Sequence, residues 1–352
     1  MTIEKRSTIS DVAALAGVGK ATVSYVLNSS RTKVPISTAT RERVMRAARE
    51  CSYHPNAAAR ALSTRRTGHL GFILSDTVAD GWANATFAKV LSGVETACHK
   101  CGYGLNISRY NLTNLDSFVF PPRVGQRSVD GLILTHYVEA AVVRRFQEFG
   151  IPCVCIGDNL EVGGMIPTIA CDIVDGLFQA VEYGASLGHR RVVYWNERTR
   201  RGREVGRLLI ERARANPSTS ECRVTMQEIP GGLANYNDGK PIMDYWISLP
   251  KEDRPTFVIA SDQALLAFLV ELVGRDFRCP EDLSLVSSCD TRLCEYSFPP
   301  LCSVSYDLEG YGELGAEMLI RHLEEHIPLG PEMSRMEPCR MNLRKSVGRV
   351  TG

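Results

Sequence analysis

The chain has 352 residues, 44% of them hydrophobic, with twelve cysteines and a formal net charge of +1. That is room for two or three domains, and no apolar run approaches the roughly 18 residues of a membrane span, which sets aside a membrane protein and points to the cytoplasm. Residues 1–68 carry twelve lysines and arginines against four acids, a local charge of +8 that leaves −7 for the rest. A compact basic head on an acidic body concentrates attraction for phosphate at one end, and that attraction falls steeply with salt.

In chain order, Thr8 to Asn28 reads TISDVAALAGVGKATVSYVLN. Apolar residues recur at helical spacing (Ile9, Val12, Ala13, Ala16), break at Gly-Val-Gly, and resume at Val23, Val26 and Leu27, which predicts helix, tight turn, helix. Thr8 and Asp11 have the spacing of a capping box, and Gly17 can take the left-handed backbone that ends a helix. The second helix opens Lys20-Ala21-Thr22-Val23-Ser24 and offers short polar and basic groups on one side, a face that suits a DNA groove. A helical hairpin that only packs on the rest of the chain has the same pattern. Thr38 to Cys51 alternates Val44, Met45, Ala47 and Ala48 with arginines and predicts a third helix. Pro55 stops it, and Asn56 can cap an alanine-rich segment reaching Thr64. This segment is shorter than the roughly 12–15 residues an isolated helix needs, so it should order only when docked. There Leu62 can wedge between base steps from the minor groove while Ala58 and Ala59 permit close approach, or it can pack on the next domain as part of a linker.

From His69 the pattern changes to short β-rich runs alternating with helices. Strands are expected at Leu70–Leu74, Leu105–Ser108, Gly131–Thr135, Cys153–Ile156, Arg191–Trp195, Phe257–Ala260 and Leu283–Ser287, with helices at Val90–Lys100, Ala140–Phe149, Gly176–Leu187, Gly202–Ala215 and Gln263–Val273. Two such sets predict two doubly wound α/β lobes and a cleft where strand ends meet. The scattered cysteines should be thiols in a reducing cytosol. Cys98-His99-Lys100-Cys101 lacks the second pair that zinc requires, so neither a metal nor a cofactor is expected. No nucleophile, base and orienter stand at a recognisable spacing, and Leu70-Gly71-Phe72 is no phosphate-cradling loop, so the chain is not read as an enzyme.

Thr8-x-x-Asp11-Val12-Ala13, Ala16-Gly17-Val18, Thr22-Val23-Ser24, Leu27-Asn28, Tyr53-x-Pro55-Asn56 and Ala59-Arg60-x-Leu62 together resemble the lactose repressor/galactose repressor (LacI/GalR) family of bacterial transcription regulators. The resemblance runs nearly the full length. It implies a helix-turn-helix head over 1–55, a hinge helix over 56–68, and a periplasmic-binding-protein-like body over 69–352. Within that body the N-lobe is expected at about 69–170 and 306–335, and the C-lobe at about 171–305 plus the C-terminal segment. The implied protein is a homodimeric repressor of near-palindromic operator DNA, controlled by a small-molecule effector, a sugar or other metabolite, in the cleft.

Carried over by position, Lys20, Ala21 and Tyr25 would read bases, and Thr22, Ser24 and Asn28 would contact phosphates, with Arg31 adding backbone contacts. Tyr25 stands where the family usually has arginine, and Gly19 where it has a capping serine. In the body Arg203 is retained, but Ser261 and Cys289 occupy the usual asparagine and aspartate positions, with Asp290 next in sequence; Asp158 follows a glycine where another aspartate is expected. Three readings follow: a different effector, a sugar held by a rearranged set including Asp158, Arg203 and Asp290, or a constitutive or architectural regulator with no effector. Trp82, Asn84 and Phe87 are further cleft candidates, or simply packing between the lobes.

Overall fold

A computed structural model describes residues 7–27, 36–53, 66–78, 81–135, 137–159, 161–196, 200–228 and 239–350. The chain divides into two compact units, Met1–Gly68 and His69–Gly352. In the first, helix α1 (Ile9–Ala16) starts where the Asp11 carboxylate accepts the backbone amide of Thr8 at 2.7 Å and its hydroxyl at 2.8 Å. It ends at Gly17, whose φ of 64° no β-carbon opposes, and the amides of Gly17 and Val18 turn back to Ala14 and Ala13. Helix α2 (Lys20–Leu27) follows at once, and α3 (Thr38–Glu50) opens where Ser37 Oγ accepts the Thr40 amide at 3.2 Å. Val12, Val23, Val26 and Val44 close a small core, each worth about 1.5–3 kcal/mol of burial.

The second unit opens with β1 (His69–Ser75), α4 (Ala85–Cys101), β2 (Gly104–Tyr110), α5 (Pro122–Gly125), β3 (Gly131–Thr135), α6 (Ala140–Glu148), β4 (Cys153–Ile156) and β5 (Thr168–Cys171). There follow α7 (Ile173–Ser186), β6 (Arg191–Asn196), α8 (Arg200–Ala215), β7 (Arg223–Glu228), α9 (Gly239–Ser248), β8 (Phe257–Ala260), α10 (Asp262–Val273), β9 (Ser284–Ser287), α11 (Arg292–Tyr296) and β10 (Cys302–Ser305). The last elements are α12 (Leu308–Glu325), β11 (Arg335–Glu337) and β12 (Arg340–Asn342).

Two six-stranded sheets result, ordered β11-β5-β4-β3-β1-β2 and β12-β10-β9-β8-β6-β7, with β12 the antiparallel member of the second. Both faces of each sheet are covered, which is why the strands read as apolar runs rather than alternations. Along β8, Phe257 and Ile259 enter one core while Val258 and Ala260 enter the other. Along β4, Val154 and Ile156 face one side and Cys153 and Cys155 the other.

The chain passes between the lobes three times, after β5, after β10 and between β11 and β12. The third passage lies a little beyond Arg335, because Arg335, Met336 and Glu337 first pair with Ile169, Ala170 and Cys171. Helix α12 returns to the first lobe through a close crossing with α4. A β-carbon on Gly93 would stand 1.8 Å from the Glu309 carbonyl oxygen, and one on Gly312 2.1 Å from that of Val90.

Candidate functional site

In the first unit, α2 buries Val23 and Val26 and exposes Lys20, Ala21 and Tyr25, with Thr22 and Ser24 half-buried. Helical geometry places residues 20, 21, 24 and 25 within one arc of about 140°. Helix α3 exposes Arg41, Arg43, Arg46 and Arg49. The unit therefore presents a short polar face on α2, of the kind that phosphate and base-edge contacts use, and exposed guanidinium groups spread around α3. Asn28, Arg31, Ala58, Ala59 and Leu62 lie outside the described residues.

In the second unit a cavity of about 620 Å³ opens between the lobes. Its wall is made at the carboxyl ends of strands: Ile156 of β4, Cys171 of β5, Tyr194 to Asn196 of β6, Ser261 after β8, Ser288 after β9 and Tyr306 after β10. Open α/β sheets place ligands there because the strand ends leave a crevice that helices do not fill. Phe87 and Tyr137 pack at 6.2 Å on the first lobe's side, and Trp195 stands edge-on to Tyr245 at 5.2 Å on the other. Ion pairs join the two walls: Arg201 with Asp158, and Arg200 with Glu161 at 2.8 Å. Burial raises the Asp158 carboxyl above its ordinary pKa, and the Arg201 guanidinium opposes that rise.

Of the residues expected at this cleft, Phe87, Asp158 and Ser261 line it. Ser261 also caps α10, its hydroxyl oxygen accepting the Ala264 amide at 3.4 Å. The others do not line it. Arg203 is paired with Glu228 of β7, because Arg201, Gly202 and Val205 share the cleft face of α8 and residue 203 falls on the opposite side. Asp290 has both carboxylate oxygens engaged, by Ser303 and Arg344 on one and Asn342 on the other, at 2.7, 2.8 and 2.7 Å. The Cys289 carbonyl accepts the Ser287 hydroxyl at 2.7 Å, and burial keeps its thiol protonated well above the usual range. Trp82 packs on Phe72 at 5.9 Å, and Asn84 caps α4 by accepting the Thr86 amide at 3.1 Å.

Sequence reasoning missed Asn196, Arg200, Arg201 and Tyr311. The polar residue after the apolar run of β6 was a usable signal, and the same pattern recurs at Ser261 after β8. Cys98 is in the core, its thiol pushed up to about 11 by burial, whereas Cys101 is exposed. Among the described residues no group of histidine, cysteine and acidic side chains is placed to hold a metal, and no helix is long and apolar enough to cross a membrane.

Residues 8–56 match the model of bacterial regulatory proteins of the lacI family, and residues 181–347 match that of a periplasmic binding protein-like domain. The HTH-type transcriptional regulator CelR of Thermobifida fusca is 31% identical over 322 residues, which are 90% of this chain and 92% of CelR. The chain belongs to the LacI family. This LacI-family chain is also 26% identical to the HTH-type transcriptional repressor PurR of Vibrio atlanticus over 325 residues, 91% of it and 92% of PurR. Among solved structures, a CelR–cellobiose complex superposes with a TM-score of 0.65 at 26% identity, covering 97% of this chain and all of that one. The lac repressor dimer bound to operator and the anti-inducer ONPF gives 0.77 at 20% identity, covering 98% and 100% of the two chains, and so shares the fold. As a LacI-family member the protein is a DNA-binding transcription regulator, not an enzyme.

Proposed function

We propose that the protein is a cytoplasmic transcriptional repressor that holds a near-palindromic operator as a homodimer, and that a small molecule in the interlobe cavity changes its grip. The observation that carries this reading is a 620 Å³ cavity walled by both lobes, in a chain whose first unit exposes the Lys20–Tyr25 helix face. Lys20, Ala21 and Tyr25 are assigned to base edges, and Thr22 and Ser24 to phosphates. Asn28, Arg31 and the hinge residues Ala58, Ala59 and Leu62 complete the DNA contacts by position. An effector that prefers one lobe arrangement shifts operator affinity by no more than that preference, and the coupling is reciprocal.

A second reading is a constitutive regulator. The seating of Arg203, Cys289 and Asp290 outside the cavity favours it.

The test is selection of random duplex DNA by the purified protein near physiological salt, repeated with cellobiose and with ribose. A near-palindrome with a flexible pyrimidine–purine centre, enriched differently when a sugar is present, supports the first reading. The same motif at equal strength in every condition supports the second, and recovery of no motif overturns both.

A further inference from the structure

Two of the three passages between the lobes carry thiols that stand side by side. Cys171 ends β5, where the chain first leaves the first lobe, and Cys339 lies between β11 and β12, where it leaves that lobe for the last time. Backbone pairing brings them together: Cys171 is in register with Glu337, and the Asp172 amide donates to the Glu337 carbonyl at 2.9 Å. Cys339 then lies against the first turn of α7, so closely that a β-carbon on Gly176 would stand 2.7 Å from its Cβ and 3.2 Å from its Sγ. The Cys339 thiol donates a hydrogen bond to the Cys171 sulfur, and both side chains pack on the same core of the second lobe.

The two thiols differ in access. Cys339 is 4% exposed, and its hydrogen bond to Cys171, together with burial, keeps it protonated. Cys171 is half-buried and forms part of the wall of the interlobe cavity, and also of a second hollow of about 570 Å³ bounded by α7, α8 and β11. A small neutral oxidant therefore meets Cys171 first and finds Cys339 behind it.

We propose that Cys171 and Cys339 form a reversible disulfide when the protein meets a hydroperoxide, and that this bond fixes the interlobe hinge by tying its first strand to its third. Cys171 sheds its proton, and its thiolate attacks one peroxide oxygen. The O–O bond breaks, Cys171 becomes a sulfenic acid, and the departing hydroxide takes up the shed proton as water. The Cys339 sulfur then attacks the Cys171 sulfur. The S–S bond forms, the S–O bond breaks, and the hydroxyl leaves with the Cys339 proton as a second water. Two thiols are oxidised and one hydrogen peroxide is reduced to two waters. In a reducing compartment such a bond is transient, which suits a sensor. Movement of the lobes turns all three passages together, so a covalent tie between two of them also restrains the other. No occupant of the cavity is needed.

The experiment treats the reduced full chain with hydrogen peroxide, maps its cysteines by mass spectrometry after blocking free thiols, and follows hydrogen exchange before and after. The variants are Cys171→Ala, Cys339→Ala and, as an exposed control, Cys101→Ser. We expect a peptide linked through Cys171 and Cys339 in the parent and in Cys101→Ser, undone by dithiothreitol and absent from Cys171→Ala. Cys339→Ala should leave a Cys171 sulfenic acid that dimedone traps. Should Cys339→Ala not fold, the linked peptide in the parent and its absence from Cys171→Ala still decide. The bond should slow exchange at Asp172 and, on the order of fivefold or more, at residues 306–308, the passage it does not bridge. Slower exchange at Asp172 alone marks a local tether and overturns the fixed hinge, as does equal slowing at 306–308 in peroxide-treated Cys171→Ala. Oxidation of other cysteines with this pair left as thiols overturns the disulfide, and so does conversion of Cys171 to a sulfinic acid without a link to Cys339.

Discussion

Asp158 of the first lobe and Arg201 of the second, both on the cavity wall, form an ion pair, their side chains 21% and 25% exposed. Arg200 and Glu161 repeat the link at 2.8 Å, and the Lys89 ammonium donates to the Asp290 carbonyl at 3.0 Å from the same pair of lobes. The lobes are thus held by charge in the arrangement seen. Opening them returns these carboxylates and guanidinium groups to water, whose solvation offsets part of the attraction lost.

Removing Arg201 leaves Asp158 mostly buried and uncompensated. Arg201→Ala should therefore cost about 1–3 kcal/mol of body stability, while the coupling in the Asp158→Ala/Arg201→Ala cycle should be nearer 1 kcal/mol because solvent screens part of it. Thermal unfolding of the four proteins gives both numbers. A coupling of zero means the pair is a surface coincidence.

The crossing of α4 and α12 leaves no room for a methyl group. Gly93→Ala and Gly312→Ala each push a β-carbon against backbone carbonyls, which cannot rotate aside, so each should lose about 3 kcal/mol or more in denaturant titration. Gly102→Ala is a contrasting control: no atom lies within 4 Å of its β-carbon, though its φ of 71° still imposes a smaller strain.

His189 Nε2 donates to the Gly348 carbonyl at 3.0 Å, and in the neutral ring Nδ1 is then left to accept the Thr256 hydroxyl at 2.9 Å. Burial lowers its pKa below the ordinary 6.5. The unfolded chain then binds a proton that the folded one resists, so this contribution is present above pH 6.5 and is lost as the pH falls below it. Melting temperature measured from pH 8 to pH 5 should fall at the acid end. In His189→Gln that fall should be shallower.

For the head, Lys20→Ala separates two roles in one salt titration of operator binding. A phosphate contact lowers the salt slope by about one unit for all sequences, whereas a base contact relaxes preference at one position. Tyr25→Arg should shift preference toward guanine at the position it faces, since a guanidinium pairs with guanine through two hydrogen bonds.

The fold was legible because buried parallel strands announce themselves: Gly131–Thr135, Cys153–Ile156 and Phe257–Ala260 were read at their observed limits. Helix α4 begins at Ala85, five residues before Val90, because the Asn84 side chain caps it, whereas the sequence reading left Asn84 between the cleft and packing of the lobes. Edge strand β7 (RVTMQE) and helix α9 (GKPIMDYWIS) were not anticipated, since an edge strand with half-buried residues lacks the apolar run of a central one. The cleft residues were harder. Which side of α8 faces the cavity depends on the helix's rotation about its axis, and the capture of Arg203 by Glu228 joins residues 25 positions apart.

Neither lobe is a continuous stretch of chain. The first sheet awaits β11 at residues 335–337, and the second is stitched by Ser346, whose hydroxyl donates to the Leu285 carbonyl at 2.6 Å and accepts the Cys302 amide at 2.7 Å. A ribosome making this protein must therefore release the chain past residue 337 before the first lobe can finish folding, and past residue 346 before the second can. Until then β5 and β10 stand as open sheet edges, the kind of surface that chaperones shelter. Synthesis also sets an order of events: the helical head, local in sequence, can fold while both lobes are still incomplete.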